Sequence, residues 1–202
     1  MRGKMIAVYG INGIGKTTQA ERLVEYLVSQ GKQASRLKYP VYDLEPEGPF
    51  IYKYLRDPEF RAAHELSTED FQMKYAENRR RYEAELLARL EAGEWIVAED
   101  YTGTGLAWGL TWGADLEYLE KINQGLREPD LSILLHGERF LTAVEAEHRN
   151  ETADEKIRIC KNFHLLLGLR AGWAVVNANQ SIEAVSQDMQ SVVKKAFPTD
   201  LS

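Results

Sequence analysis

Short apolar runs and stretches of helical periodicity alternate from one end of this chain to the other. Met5–Tyr9 is an apolar run closed by Gly10, the pattern of a strand buried on both faces. Behind it Ala20, Leu23, Val24, Leu27 and Val28 recur at helical spacing, and Gly31 stops that helix. Ala34–Lys38 reads as a second strand, closed by Pro40. Residues 41–58 contain Pro46, Pro49 and Pro58 and read as irregular, with a short helical piece over 50–55. Ser67 and Asp70 have the spacing of an N-terminal capping box, with Asp in place of the usual Glu or Gln. The long helix they open carries Phe71, Tyr75, Tyr82, Leu86 and Leu90 near one stripe and ends at Gly93. A third strand over 95–98 delivers Glu99 and Asp100 at its carboxyl end.

Residues 103–113 hold four glycines and two tryptophans and receive no element. A helix is predicted over 115–123, and Pro129-Asp130 leads into a strand over 131–135. A helix, a polar segment at His148-Arg149-Asn150-Glu151 and a further helix follow. Ile157, Cys160, His164 and Leu167 share one face of that further helix. The fifth strand is read over 173–176 and the closing helix over 182–193. Five short strands separated by helices predict an α/β fold, a doubly wound five-stranded parallel sheet flanked by helices. Such sheets bind ligands at the carboxyl ends of their strands. The chain, residues 1–202, is read as a single domain.

The composition is ordinary for a globular protein, with 44% hydrophobic and 28% charged residues among 202. The formal net charge of −6 disfavours binding to duplex nucleic acid or to an anionic membrane surface, but a local pocket can still be positive. The lone Cys160 excludes an internal disulfide and fits a reducing compartment. No run approaches the length of a membrane span, and the apolar stretch at residues 5–9 is too short for a signal peptide. The expectation is a soluble cytoplasmic protein, with small anionic ligands not excluded.

The chemistry is concentrated in Gly10-Ile11-Asn12-Gly13-Ile14-Gly15-Lys16-Thr17, which satisfies G-x-x-x-x-G-K-[ST] at every fixed position. A strand enters it and an amphipathic helix leaves it. Glycines let the backbone curl so that successive N–H groups converge on one phosphate, and the helix N-terminus adds partial positive charge. Asn12, Gly13, Ile14, Gly15, Lys16, Thr17 and Thr18 are therefore the candidate ATP-binding residues. Lys16 can reach the β- and γ-phosphates, and the Thr17 hydroxyl can ligate Mg2+. Glu99 and Asp100, at the end of a neighbouring strand, are candidates to hold that magnesium or to accept a proton from a substrate hydroxyl. Asp is also a favoured helix N-cap, and which of the two faces the phosphates is left open.

With these residues in view the sequence resembles the thymidylate kinases, of the P-loop nucleoside-monophosphate kinase group, over nearly its whole length. The resemblance is carried by Lys16-Thr17-Thr18; by Tyr39-Pro40 followed by Tyr54-Leu55; and by Tyr75 four positions before Arg79. It continues through Glu99-Asp100-Tyr101 with Thr104 and Ala107-Trp108, through Pro129-Asp130-Leu131, and through Ser181-Ile182-Glu183 with Val185. It implies transfer of the ATP γ-phosphate to the 5′-phosphate of dTMP, with magnesium, and a homodimer. It implies a substrate site at Tyr75, Arg79, Tyr101, Thr104 and Trp108, the ring stacking the base and the guanidinium bonding a base carbonyl. Read without it, Tyr75 is a core residue and Arg79 belongs to a solvated basic run with Arg80 and Arg81. It also implies a transition-state arginine. The phosphate loop has Asn12 and Gly13 at the relevant places, so the arginine falls to a lid over about 146–156, where Arg149 is the candidate.

The sequence departs from that pattern on the acceptor side. Tyr42 stands near one arginine that clamps the acceptor phosphate in the family, and Asp100 replaces the other. Asn12 stands where an acidic residue meets the sugar, and Glu99 is one methylene longer than the family's Asp. Two like charges about 4 Å apart at an effective dielectric near 20 repel by about 4 kcal/mol. Three readings follow: a thymidylate kinase that holds its phosphate with Arg56, Lys53 or Arg79; a kinase of a deoxynucleoside or modified pyrimidine, with Glu99 or Asp100 as base; and a nucleotide-binding protein without catalysis. Trp108 and Trp112 are also readable as packing, Cys160 as a buried thiol, and the four histidines show no zinc-ligand spacing.

Overall fold

The computed structural model describes residues 2–140, 148–150 and 154–201. Five strands form one sheet: β1 (Met5–Tyr9), β2 (Ala34–Lys38), β3 (Trp95–Glu99), β4 (Leu131–His136) and β5 (Ala174–Asn177). Their order is β2-β3-β1-β4-β5, every pair parallel, so the doubly wound sheet is as the alternation predicts. Every residue of β1 is buried, because helices cover both faces of the central strand and remove the usual alternation. Ile6 and Val8 join one core with Leu23, Leu27, Val97, Ile133, Met189 and Val193. Met5, Ala7 and Tyr9 join the opposite core with Leu86, Leu90, Ile96 and Ala98.

The first core is closed by α1 (Lys16–Ser29) and α8 (Ile182–Ala196); Val28, read as part of the apolar stripe, is instead exposed. The second core is closed by α4 (Thr68–Glu91). Its predicted cap is present: Ser67 Oγ accepts from the Asp70 amide at 3.0 Å. The first turns of α4 leave the sheet, and Phe71 packs on Ile51, Tyr54 and Leu55 in a separate aromatic cluster.

Two stretches are more regular than the sequence reading has them. Residues 47–64 form α2 (Glu47–Arg56) and α3 (Pro58–His64). Their prolines start helices rather than break them: Pro46 is the N-cap of α2, Pro49 lies in its first turn, and Pro58 opens α3 behind Asp57, which accepts from the Phe60 amide at 2.9 Å. The glycine-rich stretch is α5 (Thr102–Thr111), and α6 (Leu116–Asn123) follows it. Glycine is a poor helix former, but here neighbours claim the space of its missing side chain. A Cβ at Gly103 would lie 2.4 Å from the Trp173 ring, one at Gly105 2.5 Å from Arg79, and one at Gly109 2.7 Å from Leu119. After β4 comes α7 (Asp154–Ala171), which buries Ile157, Cys160, His164 and Leu167 as predicted. The helix expected between β4 and His148 lies outside the described residues, as does part of the proposed lid.

Parallel register then sets out the working end. Val8 and Lys38 both stand opposite Glu99, so the carboxyl ends of β1, β2 and β3 finish side by side.

Candidate active site

The turn after β1 passes through Gly10, Gly13 and Gly15 with positive φ at each, a path that side-chain-bearing residues rarely follow. At Gly13 a Cβ would also lie 2.9 Å from the Phe140 carbonyl, whose own amide donates to Gly13 O at 2.8 Å. The loop hands over to α1 at Lys16, so main-chain N–H groups and the helix N-terminus face one cavity of about 620 Å³. All seven predicted ATP-binding residues, Asn12 through Thr18, line it. The Ile14 side chain itself is buried, so its contribution to the wall is main chain. The Lys16 ammonium donates to Gly10 O at 2.9 Å and Ile11 O at 3.0 Å and lies 3.6 Å from Asp100 Oδ1.

Glu99 and Asp100 part company here. Glu99 ends β3, is 2% exposed and lines the phosphate-loop cavity alone. Its Oε1 accepts from Thr17 Oγ1 at 2.7 Å and from Lys38 Nζ at 3.2 Å, and its Oε2 accepts from Arg36 Nη1 at 2.6 Å. Burial works against the charge, but Lys38, the Thr17 hydroxyl and Lys16 outweigh it and hold this carboxyl below its ordinary range. Asp100, the residue after the strand, has a left-handed φ of 58° and lines both cavities. It accepts from Thr104 Oγ1 at 2.9 Å, and burial pushes its proton affinity up. Thr17 and Glu99 together present a hydroxyl and a carboxylate, hard oxygen donors suited to Mg2+, beside the loop that would hold a triphosphate.

A narrower cavity of about 110 Å³ opens on the other side of Asp100. Tyr75, Arg79, Tyr101, Thr104 and Trp108, the predicted substrate residues, all line it. Arg79 is not part of a solvated run: it is 3% exposed, donating to Asn123 Oδ1 at 2.9 Å and to Tyr101 O at 3.2 Å. Its Nε has no partner among the described residues. The bare Cα of Gly105 makes room for that guanidinium. Arg56 lines the same cavity, its guanidinium 4.4 Å from the Tyr52 ring and its Nη1 donating to Tyr42 Oη at 3.4 Å. Lys53 does not line it; its ammonium sits over Phe60.

Arg149 is placed apart from the other candidates. Its guanidinium stacks 4.1 Å from the Trp112 ring and lies near Tyr54 and Phe71, and it lines neither cavity. The aromatic cluster between α2 and α4 offers a flat cation the faces of several rings, and its own amide is tied to Leu55 O at 2.9 Å. The expectation of an arginine at the transferring phosphate is therefore not met by Arg149 in this arrangement. Trp108 walls the narrow cavity, whereas Trp112 serves as the Arg149 platform.

Sequence reasoning missed Arg36 and Lys38. Their spacing of two on a strand puts both side chains on one face of β2, and the adjacent strand ends in Glu99. That signal becomes legible only once β2 and β3 are known to be neighbours. Asn12, Lys38 and Asp100 are shared by the two cavities.

Comparison with known proteins agrees with this geometry. A family model described as thymidylate kinase matches residues 8–189. The human thymidylate kinase is 28% identical over 210 residues, covering 98% of this chain and 93% of the human protein. A probable thymidylate kinase of Pyrococcus abyssi is 29% identical over 201 residues, covering 96% and 97%. Among solved structures, a thymidylate kinase from Candida albicans superposes with a TM-score of 0.84 at 19% identity, covering 100% of this chain and 94% of that one, a likeness of fold.

Proposed function

This chain belongs to the thymidylate kinase family, and on that premise we propose that it transfers the γ-phosphoryl group of ATP to the 5′-phosphate of dTMP. One observation carries the reading: a phosphate-loop cavity and a base-sized slot with an aromatic and arginine wall meet at Asn12, Lys38 and Asp100.

The main chain over Gly13, Ile14 and Gly15, with Lys16, Thr17 and Thr18, holds the triphosphate. Lys16 exchanges its two loop carbonyls for β- and γ-phosphate oxygens, a stronger pairing because the partners are charged. Thr17 and Glu99 are the residues that would hold magnesium, which supplies charge neutralisation for the phosphates when bound. In the acceptor slot, Tyr75 stacks the pyrimidine and Arg79 donates to a base carbonyl, its guanidinium already fixed by Asn123 and Tyr101. Tyr101, Thr104 and Trp108 complete the walls. Of the three candidates for the acceptor phosphate, Arg56 fits best: it lines the slot, Lys53 does not, and Arg79 is committed to Tyr101 and Asn123.

Asp100 favours a second reading, in which the acceptor is a deoxynucleoside or modified pyrimidine hydroxyl. Its carboxylate lines both cavities where two family arginines are missing, and burial raises its affinity for a proton. A base at that position suits a hydroxyl nucleophile and repels a phosphate.

The test is incubation with ATP and magnesium and either dTMP or thymidine, with products separated by anion-exchange chromatography. dTDP from dTMP supports the reading. Turnover of thymidine alone removes it in favour of the second, and ATP turnover indifferent to either removes both.

A further inference from the structure

Transfer between two bound substrates develops charge on the oxygens of the moving phosphoryl group, and a cation fixed at the meeting point stabilises it. Only residues that line both cavities stand at that point, and among the described residues these are Asn12, Asp100 and Lys38. Lys38 is the cation of the three. Lys16 lines the phosphate-loop cavity alone, Arg56 and Arg79 the acceptor slot alone, and Arg149 neither. We infer that Lys38, at the end of β2, is a catalytic residue that places its ammonium on the phosphoryl group in flight.

The local bonding suits that task. Lys38 Nζ lies 3.2 Å from Glu99 Oε1, at the long end of a charged hydrogen bond, and its side chain is 46% exposed and lines both cavities. Lys38 helps hold Glu99 ionised, but the carboxylate keeps other partners when it moves, Arg36 at Oε2 at 2.6 Å and Thr17 at Oε1 at 2.7 Å. The ammonium can therefore leave the carboxylate for phosphoryl oxygens without stranding a buried charge. In the step itself an acceptor oxygen bonds to the γ-phosphorus while the bond from that phosphorus to the β,γ-bridging oxygen breaks. The electron pair leaves with ADP, and Lys38 gives and takes no proton.

This inference rests on the kinase reading, so the acceptor is first identified by product analysis with the wild-type enzyme. Lys38→Met is then compared with Lys38→Arg in steady-state kinetics and in binding of ADP with aluminium fluoride and the acceptor, a mimic of the transferring group. Lys38→Met is expected to lower kcat by about 10²–10³-fold with both KM values changed less than about threefold. Affinity for the mimic should fall by a comparable factor while affinity for ADP alone is unchanged, and Lys38→Arg should recover most of both. A kcat within about threefold of wild type in Lys38→Met would overturn the inference and leave the kinase reading standing. So would a loss of kcat with mimic affinity intact, the signature of a mere counter-ion to Glu99, or a loss confined to Arg149→Ala. Should Lys38→Met fail to fold, Lys38→Gln carries the same comparison.

Discussion

Replacing Gly105 by alanine sets helix propensity against the architecture of the acceptor slot. In an ordinary helix interior, Gly→Ala stabilises by about 1 kcal/mol. At this position the new Cβ would sit 2.5 Å from Arg79 Nη2 and 3.3 Å from both Cζ and Nη1. An exposed arginine would relieve that by rotating its terminal bonds. Arg79 is 3% exposed, with Nη1 donating to Asn123 and Nη2 to the Tyr101 carbonyl. The clash falls on Nη2, so the bond to Tyr101 O is the one lost. A hydrogen bond from a charged donor contributes about 1.5–3 kcal/mol, and its loss leaves a buried guanidinium donor unpaired, while Tyr101 O keeps the Gly105 amide at 3.3 Å. The net expectation is a loss of about 1–2 kcal/mol, opposite in sign to propensity and a fall in Tm of a few degrees for a chain of this size. The displaced guanidinium moves toward the slot, so KM for the pyrimidine acceptor rises by more than about tenfold while KM for ATP holds. Urea unfolding and initial rates at varied acceptor check both halves. A Gly105→Ala protein as stable as wild type, with unchanged acceptor KM, would refute the argument that Gly105 exists to seat Arg79.

Other outcomes follow from the same geometry. Lys16→Ala should abolish transfer in a coupled assay for ADP with any acceptor; retained activity would mean the phosphate loop is misread. Asp100→Asn keeps the acceptor for Thr104 and tolerates the left-handed backbone, so its effect is one of charge. If dTMP is the acceptor, removing a carboxylate that repels it lowers KM for dTMP by at least about tenfold, from a full repulsion of about 4 kcal/mol at 4 Å. If a hydroxyl is the acceptor, kcat collapses instead, so initial rates of this one variant separate the two readings. His164 is buried with Nε2 unpartnered among the described residues, and burial pushes its pKa down to about 3 from 6.5. The unfolded chain then binds the proton first as pH falls, so stability is lost from about pH 6.5 toward pH 3. Between pH 7 and pH 5 the loss is about 2 kcal/mol. Urea midpoints should show it in wild type and a flatter profile in His164→Leu; equal slopes would place the titrating group elsewhere.

The local code along this chain determines a good deal unaided. Strand positions follow from short apolar runs because a strand buried on both faces needs no partner to declare itself, as Met5–Tyr9 shows. The phosphate loop is equally legible: its glycines, lysine and threonine are contiguous, so the motif declares itself before the neighbours that also hold it, such as Phe140, are known. Helix spacing puts Tyr75 and Arg79 on one face, but read without the family resemblance that pair is a core residue and a solvated cation, and only the resemblance made it a candidate substrate site. What only the tertiary structure decided is long-range. The glycines of α5 are read as loop until Trp173, Arg79 and Leu119 are seen filling the space above them. The direction of Arg149 depends on rings contributed by α2, α4 and Trp112 just past α5, more than thirty residues away, and Lys38 acquires a role only because β2 lies beside β3. Glu99 and Asp100 are adjacent in sequence, yet strand register buries the first and a left-handed φ turns the second into the junction. Propensity and motif act over a few residues, whereas the sign and position of charge around the phosphates are sums over segments that meet only when the sheet closes.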